Sequence, residues 1–253
     1  MSTTIDSTPR GRSTRRALDI FEAFETHRRP LSLSELARAA CLPVSTCHAA
    51  LRTLEEAGYL CQLEGRGIYP TRRLGDLADT IRAHDPLARR LEPRLARLRD
   101  ETGETVILGT RQRDVVQYLL VLESARSIRY SARAGASKPL HSSAIGKVML
   151  GALDDAALAT WLAAHPLVAV TDQTLTSADT LCADLVRSRA RGHYLTRGEN
   201  VADVMAVAAP LAFGQALFGV AVAGPLPRMQ DALAAHVTAL ATAIEELGAA
   251  LAT

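Results

Sequence analysis

Three groupings of residues in this sequence have types and spacings that could do chemistry. Cys41, Cys47, His48 and Cys61 offer thiol and imidazole donors to a zinc ion. Their C-x5-C-H spacing matches no common ligand pattern, and with the isolated Cys182 they read instead as small apolar residues of a reducing compartment. The run from Ser142 to Lys147 evokes a phosphate loop, but that loop needs Gly where His141 stands and Ser or Thr where Val148 stands. His141 beside Ser142 and Ser143 sets a base next to two hydroxyls, without the G-x-S-x-G turn that would aim a nucleophile. The expectation is a protein that is not an enzyme and needs neither cofactor nor metal. In that case 142–147 is a loop entering a helix, whose free amides line a pocket or receive an anion.

The third grouping is basic. Residues 1–75 hold eleven Arg and eight acids, a net +3, so the rest of the chain carries −1 of the total +2. Arg10, Arg12, Arg15 and Arg16 cluster near the amino end. Charge of this size permits phosphate contact without demanding it, and taken alone it favours a solvated tail.

The elements that would position these groups decide more. At 253 residues, 48% hydrophobic and 22% charged, the chain suits two modest globular domains. No apolar run approaches the ~18 residues of a membrane span. Residues 1–16 lack the apolar core of a secretory signal, so a cytoplasmic location is expected. Ala17, Ile20, Phe21 and Phe24 recur at helical spacing. Ser32-Leu33-Ser34-Glu35 is a capping box that opens a second helix through Ala40, and a third runs from Val44 to Ala57 with Gly58 after it. A short helix, a tight turn and a longer helix make a helix-turn-helix, whose second helix enters the major groove. Two β-like runs, 59–63 and 68–70, flank Glu64-Gly65-Arg66-Gly67 as a hairpin, the wing of a winged helix, with Arg66 at its tip.

Leu33-Ser34-Glu35-Leu36-Ala37-Arg38, then Pro43-Val44-Ser45-Thr46-Cys47-His48, then Thr53-Leu54-Glu55-Glu56-Ala57-Gly58-Tyr59-Leu60 resembles the DNA-binding domain of IclR-family transcriptional regulators. The resemblance implies a DNA face built from Arg12, Arg15, Ser34, Val44, Ser45, Thr46, His48, Arg52 and Arg66. Val44 and Ala49 stand where the family usually has basic residues, so Arg52, Arg66 and the basic arm carry more of the phosphate attraction, and Val44 is placed to touch a thymine methyl.

Beyond a helical connector with Leu74, Leu77, Ala78 and Ile81 on one face, and a break at His84-Asp85-Pro86, the pattern predicts a helix over 87–102. Strands follow at 105–110, 115–122 and 128–132, then helices at 143–150, 154–164 and 178–191. Further strands at 193–195, 204–212 and 217–223 precede one final helix from Pro227. Meander strands with grouped helices suggest an α+β domain on an antiparallel sheet. Glu101-Thr102-Gly103-Glu104-Thr105, the run Pro139 to Lys147, Arg191-Gly192, Val207-Ala208-Ala209-Pro210 and Gly224-Pro225 are similar to the GAF/PAS-like effector-binding domain of the same family, in its order.

The domains expected are a flexible basic arm (1–13), a winged helix-turn-helix (14–72), a helical linker (73–86) and an effector-binding domain (87–253). Carried over from the resemblance, the effector touches Leu140, Ser143, Ala144 and Ile145 on one wall and Thr196, Arg197, Ala206, Ala221 and Ala223 on the sheet. Family members that take small carboxylates have an acid, a Cys and serines at these late-strand positions. Three alanines instead imply a less polar, roomier pocket and a larger, aromatic or branched acid. Arg197 is either the anion partner or a surface partner of Glu199. The function implied is a ligand-responsive repressor, acting as a homodimer or dimer of dimers on a palindromic double-stranded operator. The alternative is a GAF-like small-molecule binder whose helical module makes protein contacts.

Overall fold

A computed structural model describes residues 9–252, with the side chains of 9–12, 82 and 252 outside that description. Between Asp85 and Pro86 the chain divides into two compact units.

In the first unit α1 (Pro9–His27), α2 (Leu33–Ala39) and α3 (Val44–Glu56) enclose a small core of Ile20, Phe24, Leu36, Cys47 and Leu51. The capping box forms: the Ser32 hydroxyl accepts the Glu35 amide at 3.3 Å, while the Glu35 carboxylate accepts the Ser32 amide at 2.8 Å. This satisfies two of the donors that a helix start leaves free, which is why so short a helix begins cleanly at Leu33. The hairpin β1 (Leu60–Leu63) and β2 (Gly67–Pro70) is stitched to the segment before α2 by paired backbone bonds between Leu31 and Ile68, 2.8 and 3.0 Å long. Gly67 is needed there. Its φ is +97°, and a Cβ on it would stand 2.7 Å from the Leu31 carbonyl oxygen. Helix α1 differs from expectation by starting at Pro9, so 9–13 is helical rather than a flexible arm, and 1–8 lies outside the described residues. The unit ends in α4 (Arg73–Ala83), whose Leu74, Leu77 and Ile81 are 38%, 44% and 64% exposed.

The second unit is an antiparallel sheet with helices on both faces, the α+β class expected. After α5 (Pro86–Thr102) come β3 (Thr105–Gln112), β4 (Val115–Leu122) and β5 (Ser137–Pro139). Helices α6 (Ala144–Gly151), α7 (Asp155–Ala164) and α8 (Ala178–Arg191) intervene before β6 (Tyr194–Arg197), β7 (Val204–Phe213) and β8 (Ala216–Pro225). The strand order β5-β4-β3-β8-β7-β6 joins two meanders through the β3–β8 pair. Strand alternation sorts side chains into two cores. Val106, Val207, Val220 and Val222 pack with Leu91, Leu95 and Leu98 of α5 on one face. Ile107, Ala208 and Ala221 pack with α6 and α8 on the other. Gly219 lets α6 close in, since a Cβ there would lie 2.7 Å from the Ile145 side chain.

Two expectations fail here. Residues 128–132 form no strand, and the third strand of the first meander is β5 instead. Side-chain ties replace a ladder in that loop: Arg129 donates to Glu123 at 3.0 Å, Ser131 also donates to Glu123, and the Tyr130 carbonyl accepts from the Thr105 hydroxyl. The final helix is also two, α9 (Leu226–Asp231) and α10 (Leu233–Ala252), turning at Ala232. Helix α9 is held separately, by buried Met229 and by the pairing of Arg228 with the buried Glu104.

Candidate functional site

In the second unit a cleft opens where the start of α6 meets the sheet. Ser143 caps the helix, its hydroxyl accepting the Gly146 amide at 3.2 Å and donating to the Pro139 carbonyl at 2.7 Å. The amides of Ala144 and Ile145 begin the helix inside the cleft, where a helix N-terminus favours an anion. Opposite them, Thr196, Ala206 and Ala223 form a row across β6, β7 and β8, with Ala221 beside it. Seven of the residues expected on the cleft therefore do line it: Ser143, Ala144, Ile145, Thr196, Ala206, Ala221 and Ala223.

Leu140 does not. It is 1% exposed, packed in the core close under α6, where a Cβ on Gly146 would strike its backbone. Arg197 does not either: it follows Thr196 in a strand, so its side chain leaves by the opposite face, opposite Met205 of the other core, and is exposed. Nor is it the partner of Glu199, which is buried and engaged by Lys147. The cleft is apolar as expected but not roomy. Its volume is about 30 Å³, space for a water or two, because Tyr118, Tyr130 and Ile145 occupy what the alanines leave. Burial, reinforced by the charge and hydrogen bond of Tyr130, pushes the Tyr118 phenol far above its ordinary range, so it stays protonated.

Sequence reasoning missed six lining residues: Ile107, Tyr118, Tyr130, Asn200, Val201 and Val204. Alternation along β3 and β4 could have marked Ile107 and Tyr118. Asn200 and Val201 sit in the loop after β6, where periodicity is silent; Asn200 donates to the Ser142 hydroxyl at 2.9 Å.

In the first unit α3 turns Cys47 and Leu51 inward and leaves Val44, Ser45, His48 and Arg52 exposed together. Thr46 is half-buried in a groove against α1 that Arg16 also lines. A groove of about 310 Å³ between α3 and the hairpin is lined by residues including His48, Arg52, Glu55 and Gln62, the last two not anticipated. Arg52 pairs with Glu56 at 3.0 Å, both side chains 67% exposed. Ser34 is exposed on the first turn of α2, Arg66 at the hairpin tip, and Arg15 on α1 near Asp19. The side chain of Arg12 lies outside the described residues. Among the described residues no cluster of His, Cys, Asp and Glu could hold a metal ion, and no helix is long and apolar enough to cross a membrane.

Two family models match the chain. The IclR helix-turn-helix domain matches residues 13–64, and the C-terminal region of the bacterial transcriptional regulator IclR matches residues 80–247. The chain is 35% identical over 238 residues to the HTH-type transcriptional regulator BhcR of Paracoccus denitrificans, covering 92% of this chain and 84% of that one. It is 32% identical over 236 residues to the protein named Probable transcriptional regulator SauR of Cupriavidus necator, covering 92% and 94%. Its fold is similar to the crystal structure of an IclR homolog from Microbacterium hydrocarbonoxydans complexed with 4-hydroxybenzoate, with a TM-score of 0.76, 23% identity, and 94% and 98% of the two chains covered.

Proposed function

The chain belongs to the IclR family of bacterial transcriptional regulators, which are not enzymes, and on that premise we propose that it is a cytoplasmic repressor released or retained on DNA by an aromatic or branched organic acid. Residues 14–72 read the operator, 73–86 link and pair two copies, and 87–253 sense the effector. Two copies, or two pairs, span a palindromic site with α3 in successive major grooves and Arg66 on phosphate. The sense of regulation follows the relatives designated repressors in this family.

The observation that carries the effector class is the composition of the cleft. An apolar floor of Ala206, Ala221 and Ala223 faces the free amides of α6, so a carboxylate meets the helix start while a ring or branched chain covers the alanines. With Arg197 on the other face, those amides, the hydroxyls of Ser143, Thr196, Tyr118 and Tyr130, and Asn200 are the polar groups that line the cleft and could orient an acid. A ring enters only as Tyr130 or Ile145 moves, so binding reshapes the cleft, which is the kind of change that can alter DNA affinity. The 4-hydroxybenzoate held by a similar fold supports this class. Calorimetry with small and aromatic acids tests it: aromatic acids should bind at least ten-fold more tightly than glyoxylate or pyruvate, and the reverse order rejects the proposal.

A further inference from the structure

Among the described residues Lys147 is the largest fully buried side chain, and the proposed regulator function gives it no role. Its side chain is 1% exposed and its ammonium has three protons to place. One goes to Asp184 Oδ2 on α8 at 2.8 Å and one to the Leu195 carbonyl on β6 at 3.1 Å. The third goes to Glu199, hydrogen-bonding Oε1 at 2.9 Å with Oε2 2.7 Å away. One buried cation thus holds a buried carboxylate, Glu199, and a half-buried one, Asp184, with Arg187 a further 3.7 Å neighbour of Asp184. Burying charge is costly, and a paired cluster of this kind can serve to fix one arrangement of the chain.

The arrangement it fixes is the cleft. Lys147 lies one helical turn beyond Ser143 and Ala144 on the cleft wall. Leu195 immediately precedes Thr196 on the floor, and Glu199 immediately precedes Asn200 and Val201 on the rim. The rim has no strand to hold it. Besides Lys147 it is held by two backbone bonds of its own, Gly198 to the Val204 carbonyl at 2.8 Å and Val204 to the Val201 carbonyl at 3.0 Å, by hydroxyl bonds from Thr171 to the Gly198 carbonyl at 2.6 Å and from Thr174 to the Glu199 carbonyl at 2.7 Å, and by Asn200 on Ser142.

We propose that Lys147 is a positioning residue of the effector cleft, its buried ammonium clamping wall, floor and rim together through Leu195 and Glu199 without touching the effector. This rests on the reading of the cleft as the effector site. The Glu199 arm carries the rim; the Asp184 arm anchors the ammonium to α8, behind the wall.

The test uses Glu199→Gln and Asp184→Asn in the full chain, since Lys147→Met strands the buried Glu199 carboxylate and the half-buried Asp184 and risks unfolding. Both variants keep side-chain size and remove one charge from the same cluster. Hydrogen exchange, which needs no effector, should show peptides covering 142–151 and 198–204 exchanging about ten-fold faster in Glu199→Gln. In Asp184→Asn the faster exchange should lie in α8, with 198–204 as in the wild type. With 4-hydroxybenzoate as probe, Glu199→Gln should bind about ten-fold more weakly and Asp184→Asn within two-fold of wild type. Unchanged protection of 198–204 in Glu199→Gln overturns the proposal. So does equal loosening in both variants, which is what a merely structural ion cluster gives, or unchanged probe affinity in Glu199→Gln. Local loosening in a protein whose wild type ignores 4-hydroxybenzoate supports the clamp and counts against the effector class alone.

Discussion

Arg52 projects from the exposed face of α3 but is not idle there, because it pairs with Glu56 one turn along the helix. In the proposed docking on DNA, Arg52 would exchange that carboxylate for a phosphate or a base edge. The resemblance puts Val44 and Ala49 where cations are usual, so under the proposed docking each remaining cation matters more. Arg52→Ala should cost about 1–3 kcal/mol of operator binding. Glu56→Gln should do the opposite, freeing Arg52 and tightening binding two- to three-fold at low salt, with the gain fading as salt screens the charges. Fluorescence anisotropy across a salt series reads both; weaker binding by Glu56→Gln would remove Arg52 from the interface. Arg66→Ala, at the hairpin tip, should weaken binding evenly across sequences and lower the salt slope by about one. In the other unit Arg197→Ala should leave effector affinity within two-fold, since its side chain leaves by the far face of the sheet. Thr196 and Arg197 are neighbours in a strand, and alternation alone allows only one of them to face the cleft, so that assignment was open to correction from the sequence itself. Lys147 was not legible in this way: its carboxylate partners lie 37 and 52 residues on, and no local pattern joins them.

Among the elements, legibility follows how local the determinant is. Helix α2 was readable because its start is written in four consecutive residues, and the hairpin because its turn glycines flank an alternating pair of runs. Ile128, Tyr130 and Ala132 alternate just as well, yet the loop is pinned by Glu123 and Thr105, residues whose roles appear only in the fold. The turn between α9 and α10 leaves no mark because both sides have helical period. The α2 capping box also has a pH signature. Bonds from Arg29 first, then from the amide and hydroxyl of Ser32, hold the Glu35 carboxyl down from 4.5 to about 2. A lowered carboxyl favours the folded state fully above about 4.5, and that contribution disappears as pH falls through about 2. Melting followed by circular dichroism should therefore show Glu35→Gln below wild type at pH 7, with the two converging near pH 2. A gap that persists in acid would mean that shape, not charge, holds the cap.

At the scale of the whole molecule the decisive surface is α4. Leu74, Leu77, Ala78 and Ile81 recur at i, i+3, i+4 and i+7, a stripe suited to packing on another helix, yet all four are exposed. An eleven-residue helix is marginal in water without such packing. In the proposed dimer a second copy would supply it by symmetry, since a twofold axis sets the same stripe against itself. Pairing also meets what DNA demands: one recognition helix buries too little for regulatory affinity, and two fix a half-site spacing near ~34 Å or a multiple of it. Leu77→Glu with Ile81→Glu places like charges on both sides of that seam. Sedimentation should then show the pair dissociating, and operator affinity should fall at least a hundred-fold because each copy binds alone. Effector affinity should hold within two-fold, because the cleft lies wholly in residues after Pro86. If the doubly substituted protein stays associated but loses the operator, other surfaces hold the copies together and α4 only spaces the two winged helices. If it keeps both association and operator binding, α4 has no part in assembly.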